Sequence, residues 1–339
     1  MSAIADVAKL AGVSKATASR ALSGKGYVAE PTRLRVTEAA AQIGYVASPN
    51  AASLVTGQTK NVGVVIPFIN RWFFAEVLEG IEEALLDRGY DMTLYNLSAD
   101  SPDRGRIFEF FLARKRFDGV IAVGVEMSAD ETARLHSLGK PVVGVGGPLP
   151  GIHTIGIDDV ATARLATEHL LRLGHTAIVH IGGRQAEQMD FAVHGKRLTG
   201  FLEAMHAAGL PADGVFETEM SLPGGYEAGL RVLGDPRRPT AVFAASDEVA
   251  IGAIIAARQL GILVPAELSV IGIDGHEYAD MFRLTTLEQH PRSQGTLAVE
   301  LLMAEVGASD QLPTEPSHTL IPVDLAMRVS TRAPGTSAS

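Results

Sequence analysis

The chain has no cysteine among its 339 residues. This removes disulfides, thiol catalysis and Cys-ligated zinc, and it fits a reducing compartment, so a cytoplasmic location is expected. Aromatic residues make up only 6%, with a single Trp. No stretch approaches the roughly 18 apolar residues of a membrane span. The opening MSAIADVAKLAGV lacks a basic segment followed by an unbroken apolar run, so neither export nor membrane insertion is expected. A nucleophile elbow, a Walker loop and a G-x-G-x-x-G at a helix start are also missing, and GVGG at 144–147 is only a glycine-rich strand end. The 10 His are scattered, without HExxH or other close ligand spacing. No catalytic residue, metal or cofactor is therefore expected, and an enzyme is the disfavoured class.

With 46% hydrophobic and 20% charged residues the composition is that of an ordinary globular protein, at a length that exceeds one core. The charge is unevenly placed. Positions 1–60 hold seven Lys or Arg against three acids, so the remainder carries −14 of a net charge of −10. A small basic head on an acidic body is the asymmetry expected when one end meets a polyanion.

Three helical patterns fill the head. Ile4, Val7, Ala8 and Ala11 recur at helical spacing before Gly12, and Ser14 stands as N-cap to a second helix through Ala18, Ala21 and Leu22. The third runs from Pro31 through Val36, Ala39, Ala40 and Ile43 to Gly44. Two short helices joined by a tight Gly-containing turn and braced by a third make a helix-turn-helix. VASPNAASLVTGQTKN, residues 46–61, reads as a linker. Beyond it apolar runs alternate with amphipathic helices, first from VGVVIP to PVVGVG and again from ATARLATEHLLRLGH to SVIGIDG. That alternation predicts two α/β lobes with parallel sheets, dividing near residue 160. Ligands of such sheets gather beyond the carboxyl ends of the strands.

These segments, in this order, resemble the lactose repressor family (LacI/GalR type). IADVAKLAGVSKATASRALSGKGYV carries the head, GYVASPNAASLVTGQTKNVGVVIP the hinge, and HLLRLGHTAIVHIGG, ASDEVAIGAIIAARQLGILVPAELSVIGIDG, LTTLEQHP and IPVDLAMRVST the core. The resemblance spans nearly the whole chain. It implies an all-α helix-turn-helix head over 1–46, a hinge helix and linker over 47–60, and a two-lobed α/β core like a periplasmic binding protein. The first lobe would hold 61–160 plus about 291–325, the second 161–290, with the closing strand end and tail over 326–339. It further implies a sequence-specific transcriptional regulator, a repressor released from a near-palindromic operator by a small-molecule effector, most often a sugar. The implied partners are double-stranded operator DNA, that effector, and a second copy of the chain, because one head reads one half-site. No heptad-rich stretch follows RAPGTSAS to suggest a tetramer.

In the second helix Lys15, Ala16 and Arg20 are the positions that would face base edges, while Ser14, Thr17 and Ser19 offer hydroxyls suited to phosphates. The alternative is a merely solvated helix face. Ala18 stands where the family usually has Val, and Ala29 where a Ser often caps the third helix. Ala51 and Leu54 match the family's hinge helix, in which a Leu wedges into the minor groove; otherwise Leu54 is a small core residue. In the core Trp72 and Phe73 are either ligand-facing or packed, and Phe74 is read as packed. Arg197 matches the family's ligand-binding Arg, whose planar fork suits hydroxyls or a carboxylate. Asp274 ends an apolar strand where a carboxylate can accept from vicinal hydroxyls. Asp247 either does the same or caps the following helix, and Ser246 replaces the family's usual Asn. Gln289 sits at a crossover between lobes. An exported sugar-binding protein is the remaining rival, and it leaves the basic head without a purpose.

Overall fold

The computed structural model describes residues 4–23, 26–45, 58–97, 104–106, 117–137, 139–184, 192–307 and 316–335. The chain divides into two compact units, Met1–Asn61 with Arg116–Asp118, and Val62–Lys115 with Gly119–Ser339.

The first unit contains α1 (Ile4–Leu10), α2 (Lys15–Ser23) and α3 (Glu30–Gln42). Gly12 takes φ +65° in the turn between the first two helices, a conformation that side chains with a Cβ rarely adopt. Ser14 caps α2, its Oγ accepting the Thr17 N–H at 3.1 Å. α3 starts after Ala29 with no side-chain cap and with Pro31 in its first turn. The core is built from small residues: Val7, Ala8, Ala11, Ala18, Ala21, Val28, Val36, Ala39 and Ala40. At the far end of the linker the Asp118 carboxylate gathers the Thr59 N–H at 2.8 Å, the Thr59 hydroxyl at 3.1 Å and the Lys60 N–H at 2.9 Å. The expected hinge helix, with Ala51 and Leu54, lies outside the described residues.

The second unit is built from β1 (Asn61–Ile66), α4 (Trp72–Leu86), β2 (Asp91–Asn96), β3 (Gly119–Val123), α5 (Ala129–Ser137), β4 (Val142–Val145) and β5 (His153–Gly156). After these come α6 (Asp159–Arg172), β6 (Ile178–Gly183), α7 (Val193–Ala207), β7 (Val215–Thr218), α8 (Leu222–Leu233), β8 (Ala241–Ala244), α9 (Asp247–Gln259), β9 (Ser269–Asp274), α10 (Ala279–Phe282) and β10 (Thr285–Glu288). The last elements are α11 (Pro291–Gly307), β11 (His318–Leu320) and β12 (Asp324–Ala326).

Two sheets result, in the orders β11-β5-β4-β3-β1-β2 and β12-β10-β9-β8-β6-β7. β1, β3, β4, β5 and β11 pair in parallel in the first, and β6 to β10 in the second; β12 runs antiparallel to β10. Each lobe thus has a parallel sheet whose apolar strands are covered by helices, as their continuous hydrophobic runs require. The chain passes between lobes three times, at 157–158, 289–290 and 321–323. The third passage falls before the expected 325, because Leu325 pairs with Leu287 in the second sheet.

In the first lobe α4 and α11 touch backbone to backbone. A Cβ on Gly80 would fall on the Arg292 carbonyl, and one on Gly295 would fall on the Val77 carbonyl. Neither carbonyl can withdraw without bending its helix. Gly80→Ala and Gly295→Ala should each destabilise the chain by about 1–3 kcal/mol, the range for overpacking. Gly307→Ala, where a Cβ meets nothing within 4 Å, should stay within about 0.5 kcal/mol. Urea unfolding of the three variants checks this.

Candidate functional site

On the head, Lys15, Ala16, Ser19 and Arg20 are exposed while Ala18 and Ala21 are buried, so one face of α2 packs and the other is presented. Ser14 and Thr17 are joined by a 2.9 Å hydroxyl contact, which ties the Ser14 hydroxyl to its capping role. The Arg20 Nε donates to the Ala16 carbonyl at 3.3 Å, laying its stem along the helix.

In the core, the ends of β8, β9 and β10 bring Asp247, Asp274 and Gln289 together. Asp247 has no exposure. Its Oδ2 accepts the N–H groups of Gly275 at 3.0 Å and His276 at 2.8 Å, and its Oδ1 accepts the Thr286 hydroxyl at 2.7 Å. One oxygen is thereby committed to the loop after β9 and the other to Thr286 on β10. The cap of α9 is Ser246, whose Oγ accepts the Val249 N–H at 3.3 Å. Asp247 is thus neither that cap nor placed to face the cleft, and it holds the loop that does. Gly272 on β9 leaves the room, since a Cβ there would strike the Asp247 carboxylate.

Asp274 sits at φ +139°, a conformation that costs a non-glycine residue about 1–3 kcal/mol and persists only where the surroundings enforce it. Its Oδ1 accepts the Gln289 Nε2–H at 2.6 Å and lies 3.8 Å from the Arg197 guanidinium. Gln289 is held in turn by the Gln294 amide, which donates to its carbonyl at 2.7 Å. Arg197 is buried; its Nε donates to Asp159 at 2.9 Å and its Nη1 to the Ala245 carbonyl. Much of its fork is therefore engaged by the protein. Burial pushes the Asp274 carboxyl up to about 7, with Arg197 opposing and the Asp247 charge reinforcing the shift. Burial also raises Asp247, to about 6, against the pull of the His276, Thr286 and Gly275 donors.

Trp72 opens α4, and its ring stacks on His276 with centroids 4.6 Å apart and planes at 24°. The His276 Nδ1 accepts the Tyr278 N–H at 3.0 Å, so the imidazole presents a defined edge. The Trp72 Nε1–H is enclosed and has no acceptor among the described residues. Trp72 and Asp274 line one cavity of about 200 Å³ together with Glu76, Glu288, His290 and Arg292. Phe73 instead meets Phe74 edge-on at 5.3 Å and packs against the first-lobe core, as Phe74 does.

Four residues escaped the sequence reading. Asp159, the partner of Arg197, opens α6; Glu219, after β7, pairs with Arg71 at 2.5 Å; Glu248 and His276 follow Asp247 and Asp274 closely. Burial and the Asp274 charge push Glu248 up to about 7, while Arg71 and a hydrogen bond from the Trp72 N–H hold it down. A carboxylate directly after a strand-end Asp was the available signal for Glu248. Among the described residues no group of three or more His, Cys, Asp or Glu could hold a metal ion, and no helix is long and apolar enough to cross a membrane.

Comparison with known proteins places this geometry. Residues 3–49 match the family of bacterial regulatory proteins, lacI family, and residues 167–331 match the periplasmic binding protein-like domain. The HTH-type transcriptional repressor PurR of Actinobacillus pleuropneumoniae serotype 3 (strain JL03) is 32% identical over 338 residues, covering 98% of this chain and 99% of that protein. The transcriptional regulator CelR, solved as a cellobiose complex, superposes with a TM-score of 0.70 at 27% identity, covering 97% and 100% of the two chains. A lac repressor dimer bound to operator and an anti-inducer shares the fold, with a TM-score of 0.85 at 24% identity over 98% and 99%.

The raised Asp274 carboxyl has a consequence for stability. An Asp in the unfolded chain titrates near 3.9, below the folded value of about 7. A group with this sign contributes stability in full below about pH 4 and loses it as pH rises through about 7. Asp274→Asn removes the charge but keeps an acceptor for Gln289. The variant should gain on the wild type between pH 5 and pH 8 in thermal midpoint. A gap that stays constant over that range would show that Asp274 is not a buried charge.

Proposed function

The chain belongs to the lacI family of bacterial regulatory proteins, and on that premise we propose that it is a cytoplasmic, homodimeric transcriptional repressor released from a near-palindromic operator by a small, hydroxyl-bearing effector, a carbohydrate before other classes. Residues 1–46 read DNA and 47–60 form the hinge. The first effector lobe takes 61–157 with α11 and β11, and the second takes the region between 158 and 289 with β12. Lys15, Ala16 and Arg20 face bases; Thr17 and Ser19, with the capped N-terminus at Ser14, meet phosphates; Ala51 and Leu54 serve the minor groove.

The observation that carries the effector reading is the pairing of an enclosed donor with an acceptor in one cavity. Trp72 and Asp274 both line a cavity of about 200 Å³, the first with an Nε1–H that has no acceptor among the described residues and the second with a carboxylate. A hydroxyl group accepts from the first and donates to the second, and the indole face suits a sugar C–H face. The cavity is smaller than the roughly 300–1,000 Å³ of drug-sized pockets, which favours a small polar ligand. That CelR was solved with cellobiose adds support.

A thermal-shift screen of mono- and disaccharides, polyols and nucleosides tests the class. A true effector stabilises by about 2.7 kcal/mol at a hundredfold excess over its Kd. The hit should be a saccharide, and it should weaken binding to a duplex that the wild-type protein selects from randomised DNA. A nucleoside hit would overturn the carbohydrate assignment. A saccharide that tightens DNA binding would overturn release.

A further inference from the structure

A single turn of the first lobe touches three separate elements of the second. Arg71, the residue before α4, pairs with Glu219 beyond β7 at 2.5 Å. Glu248, in the first turn of α9, carries its carboxylate near enough to Arg71 and to the backbone N–H of Trp72, the first residue of α4, for both to oppose its upward shift. The Trp72 ring lies on His276 in the loop after β9. Arg71 makes no side-chain capping bond to its own helix, and the Glu248 carboxylate of the opposite lobe faces that amide end. The Arg71 guanidinium is also steadied over the Phe68 ring at 5.7 Å.

We propose that this turn is a clasp: Arg71 and Trp72 hold the two lobes together across the cleft before any effector is bound, through Glu219, Glu248 and His276. The clasp covers Trp72, one of the two groups to which the effector reading assigns ligand contact. An effector must then part the clasp to reach that ring, and its apparent affinity is reduced by the fraction of chains that are closed. This regulatory consequence rests on the effector reading, whereas the clasp itself does not.

The test needs no effector, because Trp72 is the only Trp in the chain. Acrylamide quenching of intrinsic fluorescence in the full chain reports how often that indole meets solvent. Arg71→Gln and Glu219→Gln act on the same pair from opposite lobes. Each should raise the Stern–Volmer constant by about two- to fivefold, the shift that follows from losing a partly exposed ion pair. The double variant should match the singles, since one interaction can be lost only once. Glu248→Gln should also raise quenching. No rise in either single variant, or rises that multiply in the double variant, would overturn the clasp. In both cases the reading of the cleft as an effector site would stand or fall separately, on the ligand screen.

Discussion

A carboxylate with no exposure, that of Asp247, determines where the working groups of the cleft lie. Burying a charge is costly unless it is hydrogen-bonded, and here three donors converge on it from the loop after β9 and from β10. The return on that arrangement is geometric. The loop that accepts these constraints holds Asp274 at φ +139° and delivers His276 against Trp72. Without the anchor, Asp274 would relax toward ordinary backbone geometry and the inter-lobe ring stack would lose its second member.

The same cleft explains why polar groups here are organised in layers. Arg197 engages Asp159 and the Ala245 carbonyl, which locks its plane while leaving it 3.8 Å from Asp274. Gln289 bonds to Asp274 and is itself fixed by Gln294. If the cleft takes the proposed effector, chains of this kind pre-position its partners, so little ordering cost remains at the moment of binding. A regulator built this way can transmit a ligand's presence only through differential affinity for two arrangements of its lobes. The contacts of Arg71 and Trp72 with the second lobe are where such a difference can be generated.

Much of this was legible in the residues, and what was not has a physical reason. Ser14 before a helical run, Gly12 in a turn and the apolar strands of both sheets follow from short-range rules, and the structure has the cap, the positive φ and the parallel ladders. Whether Asp247 caps the helix or meets a ligand could not be read from the sequence, because both its oxygens are taken by residues 28 to 39 positions away and the cap is Ser246. Phe73 and Trp72 are neighbours of similar character, and only the helix start separates them, turning one toward Phe74 and the other toward His276. Likewise the engagement of Arg197 by Asp159 depends on two helices meeting in space.

The central claim is that the Asp247 carboxylate fixes the loop bearing Asp274 and His276. Amide hydrogen exchange at Gly275 and His276, read by NMR in the wild type and in Asp247→Asn, measures it most directly, because these two N–H groups donate to that carboxylate. Both amides should exchange slowly in the wild type and much faster in the variant, with the strand amides of β8 and β9 unchanged. Equal protection of Gly275 and His276 in the two proteins would contradict the account.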